Sequence, residues 1–215
     1  MRIFALLTAL LLLPTVLALQ EPQATFIPEK ISVNSSFLLI VDPGDNEPVW
    51  VGWQTDVYVE NYFGQVPKVG DKFVCYFSNT DPNASCGIVP FPSSGNYTLF
   101  LIAKSPTDYK NSTIPVKIGG IQLTPTINVD QNTVYMIVYP TAPVSGVDYK
   151  VYDAGLNLVK SGSLAYPPPY TAYVGNVTLS PGTYYIAFTA EGQNDFGGAL
   201  QRVEIEKEEV KPGIP

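Results

Sequence analysis

The 215-residue sequence contains no histidine and only two cysteines, which limits the chemistry that it can carry. Without histidine there is no Ser–His–Asp triad, no Cys–His nucleophile and no histidine-ligated metal centre. Two cysteines are fewer than the four ligands of a structural zinc site. The turns "VDPGDNEP", "NTDPN" and "GQNDFGG" offer oxygen ligands to Ca²⁺, but none has the EF-hand spacing. We therefore expect no enzyme, no metal site and no cofactor, with calcium binding at these turns left open.

Charge is also scarce, because charged residues make up 14% of the chain against about 25% in an average globular domain. The net charge is −7 and no basic cluster occurs. We therefore expect neither nucleic acid nor an anionic membrane as a partner. Beyond the N-terminal region no long apolar run occurs, whereas a membrane-spanning helix needs about 20 apolar residues. The mature chain is expected to have no membrane span.

The N-terminal region has the features of a secretion signal. It carries one charge at Arg2, an apolar run from Ile3 to Leu13, and Val16-Leu17-Ala18 before the expected cut. These features predict a cleaved signal peptide over residues 1–18, with a retained signal anchor as the alternative. The chain is then secreted and acts outside the cell or at its surface. At the other end, residues 208–215 are expected to form a charged, proline-containing tail.

Five Asn-x-Ser/Thr sequons are present, none with proline at the middle position. They begin at Asn34, Asn83, Asn96, Asn111 and Asn176. In an exported chain, sequons predict N-linked glycans on side chains that face solvent. The alternative is a β-sheet surface rich in Ser, Thr and Asn in a host that does not glycosylate.

The two cysteines flank a short, turn-rich stretch, "SNTDPNAS". Cys75 lies in "KFVCYF" and Cys86 opens "CGIVPF". In an oxidising compartment this spacing predicts a local disulfide between Cys75 and Cys86. On the chain-entropy model, so short a loop contributes about 2–3 kcal/mol of stability.

The hydrophobic pattern has period two along most of the chain and predicts an all-β protein. "SSFLLIVDP", "DKFVCYF", "CGIVPF", "TVYMIVYP" and "LQRVEIE" are among the strand-like runs. Proline, glycine, asparagine and aspartate separate these runs at the spacing of a β-sandwich. No amphipathic helix is predicted.

The sequence repeats itself. "SSGNYTLFLIAK" (93–104) aligns with "SPGTYYIAFTAE" (180–191), and "TIPVKIG" aligns with "LQRVEIE" at the same offset of 87. Upstream, "SSFLLIVDP" matches "NTVYMIVYP" at an offset of 97. Each unit has the size of a seven-strand immunoglobulin-like sandwich. We therefore predict two tandem sandwiches, at 31–119 and 120–207, joined at Gly119-Gly120.

A Gly-x-Tyr motif opens the same strand in both units, at Gly95-Asn96-Tyr97 and Gly182-Thr183-Tyr184. It resembles the tyrosine corner of immunoglobulin-like and fibronectin-like domains, in which the tyrosine hydroxyl bonds back across the preceding turn. The cysteines are too close in sequence for the inter-sheet bridge of antibody domains.

The segment 19–30 precedes the first repeated strand and is not needed by the repeat. It is a flexible leader, the first strand of its own sandwich, or a strand that adds to the exposed sheet edge of a neighbouring subunit. Head-to-tail addition of the third kind builds a filament, because it does not close.

Export, sequons, acidic composition and an extended N-terminal segment before two immunoglobulin-like units together resemble the secreted subunits of archaeal thread filaments. Subunits of that family are N-glycosylated and insert an N-terminal strand into the next subunit. The resemblance implies a structural subunit of a pilus-like thread whose partners are copies of itself and its own N-linked glycans. It places the donor strand at Ala24, Thr25, Phe26, Ile27, Pro28, Glu29, Lys30 and Ile31.

Two other functions remain open. A secreted or cell-surface adhesion or ligand-binding protein with tandem immunoglobulin-like domains would need exposed aromatic side chains in a loop such as 166–170, within "SLAYPPPYTAY". An enzyme would need a carboxylate pair brought together from distant loops.

Overall fold

The structure is a computed structural model that describes residues 22–42, 47–54, 68–104, 109–169 and 171–207. The predicted signal peptide and C-terminal tail lie outside these residues. In the first half of the chain the strands are β1 (Gln23–Ile27), β2 (Ile31–Ser32), β3 (Phe37–Asp42), β4 (Glu47–Gln54), β5 (Lys68–Val69), β6 (Lys72–Phe77), β7 (Gly95–Lys104) and β8 (Tyr109–Gly119). In the second half they are β9 (Leu123–Asp130), β10 (Thr133–Pro140), β11 (Val147–Asp153), β12 (Leu158–Ser163), β13 (Tyr173–Thr178), β14 (Gly182–Glu191) and β15 (Phe196–Ile205).

The strands form two immunoglobulin-like β-sandwiches in tandem, which confirms the predicted fold class. In the first sandwich, the sheet β1-β3-β6-β5 faces the sheet β2-β8-β7-β4. In the second, the sheet β13-β10-β9 faces the sheet β12-β11-β14-β15. The chain changes sheets between β1 and β2, because β1 pairs antiparallel with β3 whereas β2 runs parallel to β8.

Equivalent strands of the two sandwiches carry the repeat that the sequence shows. β7 and β14 place Leu99 and Leu101, and Ile186 and Phe188, in their respective cores with no exposed surface. The predicted tyrosine corners are confirmed. Tyr97 Oη donates to the Ser93 carbonyl at 2.8 Å, and Tyr184 Oη donates to the Ser180 carbonyl at 3.0 Å.

Each corner begins at a glycine because the backbone there has a positive φ. Gly95 has a φ of 147° and Gly182 a φ of 155°, values that side chains disfavour. The tyrosine two residues later therefore enters its strand from a turn that glycine makes accessible.

One strand prediction was wrong. The stretch "CGIVPF" forms turns and irregular backbone and not a strand. The disulfide Cys75–Cys86, which confirms the predicted pairing, ties this stretch back to β6 with the two Cα atoms 5.3 Å apart. Val89 and Phe91 still point inward, and Phe91 stacks on Phe37 with ring centroids 5.5 Å apart. In this stretch the apolar residues contact the core although the backbone does not form a strand.

β3 is buried on both faces, unlike an ordinary strand of a sandwich exposed to water on one side. Phe37, Leu39 and Val41 face the first core. Leu38 and Ile40 point to the opposite face and join a second cluster that includes residues of the other sandwich. The outer face of the β1-β3-β6-β5 sheet is therefore covered by the second sandwich.

Candidate functional site

β1 is a terminal edge strand of the first sandwich. It pairs with β3 through five residue pairs, from Gln23 opposite Asp42 to Ile27 opposite Leu38, and it lies at the end of its sheet. Ala24 and Phe26 pack against the first core, and the Phe26 ring centroid lies 6.1 Å from that of Phe37. Within the single chain, the segment predicted as a donor strand thus completes its own sandwich. Passage of β1 between chains stays a prediction.

The residues after β1 contact the second sandwich. A cis peptide bond joins Ile27 to Pro28. Glu29 Oε1 lies 2.9 Å from Lys150 Nζ, and this hydrogen bond raises the pKa of Lys150 above its ordinary value. Lys30 forms an ion pair with Glu191. Because these side chains are largely exposed, each ion pair contributes about 0–1 kcal/mol to stability. The pairs therefore orient the segment but add little to the stability of its contact with the second sandwich.

Ser32 links the two sandwiches from a position with no solvent exposure. Its Oγ donates to the carbonyl of Ile121 and accepts from the backbone N–H of Gly198 at 2.7 Å. Gly198 lies directly against the backbone of Lys30, so there is no space for a side chain at this position. The hydroxyl therefore satisfies two buried backbone groups of the second sandwich at once.

An apolar cluster seals the joint between the sandwiches. Its buried members are Ile27, Leu38, Ile40, Val74 and Tyr76 from the first sandwich, and Ala187 and Leu200 from the second. The Tyr76 and Tyr185 rings meet edge to face with centroids 5.6 Å apart. Burial raises the pKa of Tyr76 to about 12. We call Ser32, this cluster and the contact between Gly198 and the Lys30 backbone the inter-sandwich joint.

Sequence reasoning missed this joint, although a signal was present. "FLLIV" in β3 and "FVCYF" in β6 are continuous apolar runs and do not alternate with polar residues. Such runs are typical of strands buried on both faces. Read in that way, they would have predicted a covered outer sheet.

The sequons lie on more than one surface. Asn34, Asn83, Asn96 and Asn176 are exposed, whereas the side chain of Asn111 in β8 lies outside the described side chains. Asn176 lies on the outer face of β13, opposite Tyr135 of β10. Solvent can reach the four described asparagines, and glycosylation of all five sequons stays a prediction.

The ligand-binding alternative requires an exposed aromatic side chain in the loop 166–170, and Tyr166 is such a residue. Half of its surface is exposed, and its ring centroid lies 5.0 Å from that of Tyr173. Both tyrosines line a cleft of 640 Å³ that also receives Asp148 and Glu191. Tyr170 lies outside the described residues.

Neither a metal centre nor a membrane helix is found in the part of the chain that the structure describes. No three His, Cys, Asp or Glu side chains converge there to hold a metal ion. No helix in those residues is long and apolar enough to span a bilayer. The disulfide and the immunoglobulin-like fold fit a protein of an oxidising, extracellular environment.

Comparison with known proteins gives fold neighbours only. No protein-family model and no curated protein sequence matches the chain. A two-domain fibronectin type III segment of chicken tenascin matches 86% of this chain over 98% of its own length, with 8% identity and a TM-score of 0.32. Dimeric latent PorU from Porphyromonas gingivalis matches 90% of this chain over 21% of its own, with 9% identity and a TM-score of 0.32. The FN1–FN3 domains of chicken CNTN1 match 83% of this chain over 65% of their own length, with 12% identity and a TM-score of 0.31. At these values the strand order of the chain itself, and not the neighbours, establishes the fold.

Proposed function

We propose that this protein is the structural subunit of an extracellular, N-glycosylated filament in which each copy passes β1 to the next copy. One observation carries the proposal. β1 is a terminal edge strand that pairs with a single neighbouring strand and still supplies Ala24 and Phe26 to the first core. A strand with these properties can leave one copy and complete another.

The exchange preserves the interactions that β1 makes within one chain. When β1 leaves, the hydrogen-bonding edge of β3 is unpaired and the core beneath Phe26 is open to water. The β1 strand of a second copy restores the same ladder and the same core contacts, as in domain swapping. Because each copy donates at one place and accepts at another, the addition continues head to tail and builds a thread.

The inter-sandwich joint suits the chain to this role. A sealed joint makes the two sandwiches a single stiff unit, so that repeated addition gives a thread of defined spacing. Exposed sequons on both sandwiches favour a glycan-covered surface, which fits the low content of charged residues.

Disulfide trapping tests the exchange directly. Gln23 and Asp42 are paired across β1 and β3 and both are exposed. Cross-strand partners lie about 4.5–5.5 Å apart at Cα, which is within disulfide range. Copies with Gln23→Cys are mixed with copies with Asp42→Cys under assembly conditions and oxidised. We expect disulfide-linked dimers on a non-reducing gel, because β1 of one copy then lies on β3 of another.

A matched pair in the second sandwich controls for random collision. Asn128 of β9 and Tyr135 of β10 are paired and exposed, but a two-residue turn joins their strands. Mixed Asn128→Cys and Tyr135→Cys copies should therefore remain unlinked. Equal cross-linking in both mixtures would overturn strand exchange. So would the absence of cross-linking in the first mixture, if electron micrographs also show only dispersed two-lobed particles.

Dispersed particles would favour the second candidate, a tandem adhesion or ligand-binding protein. The exposed Tyr166 ring and the 640 Å³ cleft beside it are the observation that supports this candidate. An aromatic face next to carboxylates and hydroxyls can stack on and hydrogen-bond a polar ligand.

A further inference from the structure

We propose that the glycan attached to Asn34 lies in a groove between the two sandwiches and stabilises the inter-sandwich joint. The proposal rests on the glycoprotein part of the proposed function and not on filament assembly. It concerns the first sugars of the glycan, which are those closest to the linking Asn34 Nδ2.

Asn34 is held in place by its backbone. It lies in the turn between β2 and β3, and its φ of 58° is left-handed, a conformation that asparagine tolerates better than most residues. Its N–H donates to the Phe91 carbonyl at 3.2 Å, and its own carbonyl accepts from Asn79 Nδ2 at 3.4 Å. A fixed backbone means that a glycan on Asn34 starts from a defined position on the protein surface.

The groove beside Asn34 is walled by both sandwiches and has a volume of 310 Å³. This volume is at the lower end of the range of small-molecule sites, which is about 300–1,000 Å³. Ser36 and Thr80 line it from the first sandwich, and Gln122, Thr124 and Gln201 line it from the second.

The lining has the chemistry that an uncharged saccharide needs. The described residues that form the groove include no charged side chain, but they supply hydroxyls and amides, which donate and accept hydrogen bonds. Val33 and Pro125, which are partly exposed, add apolar surface on which the C–H face of a sugar ring can pack. Of the sequons exposed in the described residues, Asn34 is the one that lines this groove.

A sugar in the groove would act as a tether between the sandwiches. It is covalently bound to the first sandwich and contacts the second only while the joint is closed. Such a ligand favours the closed state, because its contacts are lost on opening. Its effective concentration is high, since it is attached beside its own site.

Hydrogen–deuterium exchange at the joint tests the proposal on the intact glycoprotein. The amide of Gly198 donates to Ser32 Oγ across the joint and exchanges when the joint opens. Asn34→Gln removes the glycan. We expect Asn34→Gln to speed exchange at the Gly198 amide at least about fivefold, the effect of losing one net hydrogen bond across the joint. Asn176→Gln, which removes a glycan from β13, at the opposite edge of its sheet from the groove-lining strand β9, should leave it unchanged.

The same variants are also produced in a host that does not glycosylate. This comparison distinguishes the effect of losing the glycan from the effect of changing the side chain. Asn34→Gln also places a less suitable residue at a left-handed position, and the bare proteins measure that cost alone. If Asn34→Gln folds poorly, Ser36→Ala and Ser36→Thr replace it. The first removes the sequon and the second keeps it, together with a hydroxyl near Ser78 Oγ.

Glycopeptide mass spectrometry decides the remaining outcomes. The inference is overturned if Asn176 carries sugar and Asn34 does not. It is also overturned if Asn34 is glycosylated and its loss changes exchange no more than in the bare protein. If no sequon carries sugar, the glycoprotein part of the proposed function fails as well, whereas the cysteine-trapping result stands independently.

Discussion

At the residue scale, the joint between the sandwiches depends on one buried hydroxyl. Ser32 has no solvent exposure, and its Oγ both donates and accepts a hydrogen bond. A buried hydroxyl is tolerated when its partners are satisfied. The Oγ bridges the Ile121 carbonyl and the Gly198 N–H, so the polarity of Ser32 is required at this position.

We predict that Ser32→Ala lowers the free energy of unfolding by about 1–3 kcal/mol, because the Ile121 carbonyl and the Gly198 N–H are left buried without that partner. Urea denaturation followed by intrinsic tryptophan fluorescence measures the change. Ser163→Ala is the matched control, since Ser163 is exposed and bonds to the exposed Asp148. A Ser32→Ala protein as stable as the control would show that the hydroxyl contributes nothing.

At the element scale, β7 and β14 anchor their sandwiches in the same way. Both begin with a glycine turn and a tyrosine corner, and both place large apolar residues in the core at alternate positions. The two tyrosines differ in burial, because Tyr97 is 5% exposed and contacts the Phe91 ring edge to face at 4.8 Å. Tyr184 is only partly buried.

We predict that Tyr97→Phe and Tyr184→Phe each lower stability by about 0.5–1.5 kcal/mol, the value of one hydrogen bond. The larger loss is expected at Tyr97, where the hydroxyl is more deeply buried and also lies 3.1 Å from Ser93 Oγ. Thermal melts and urea titrations measure both. Tyr139→Phe, at an exposed position of β10, should be neutral, and an equal loss in all three variants would contradict the role of the corner.

At the scale of the whole molecule, the two sandwiches are coupled by a sealed joint. An apolar cluster, a buried serine and the close contact of Gly198 with the Lys30 backbone all cross it. Domains joined by small polar interfaces move independently, whereas a closely packed apolar interface couples them. Cooperative unfolding of both sandwiches is the expected consequence.

We predict that calorimetry shows one unfolding transition for the unmodified protein and two for Gly198→Ala. The added Cβ would overlap the backbone of Lys30 and force the sandwiches apart. Gly146→Ala is the control, because a Cβ at that position meets no atom within 4 Å, and it should retain a single transition. Two transitions in the unmodified protein would mean that the joint does not couple the sandwiches.

The sequence by itself determined the features that depend on local pattern. Alternating apolar residues in β7 and β14 specify strands with one face inward. The Gly-x-Tyr motifs specify the corners, and the spacing of Cys75 and Cys86 specifies a local disulfide. Each of these is fixed by residues close together in the chain, so the repeat and the fold class could be predicted.

Only the tertiary structure decided which surface covers which. The sequence left β1 open as a leader, a first strand or a donated strand, because a short apolar strand carries no mark of the chain that it pairs with. It also gave no partner for Leu38, Ile40 and Tyr76, whose outward face is covered by residues over a hundred positions away. Alternation reports that a face is buried, whereas the identity of the covering group depends on contacts that form only when distant segments pack together.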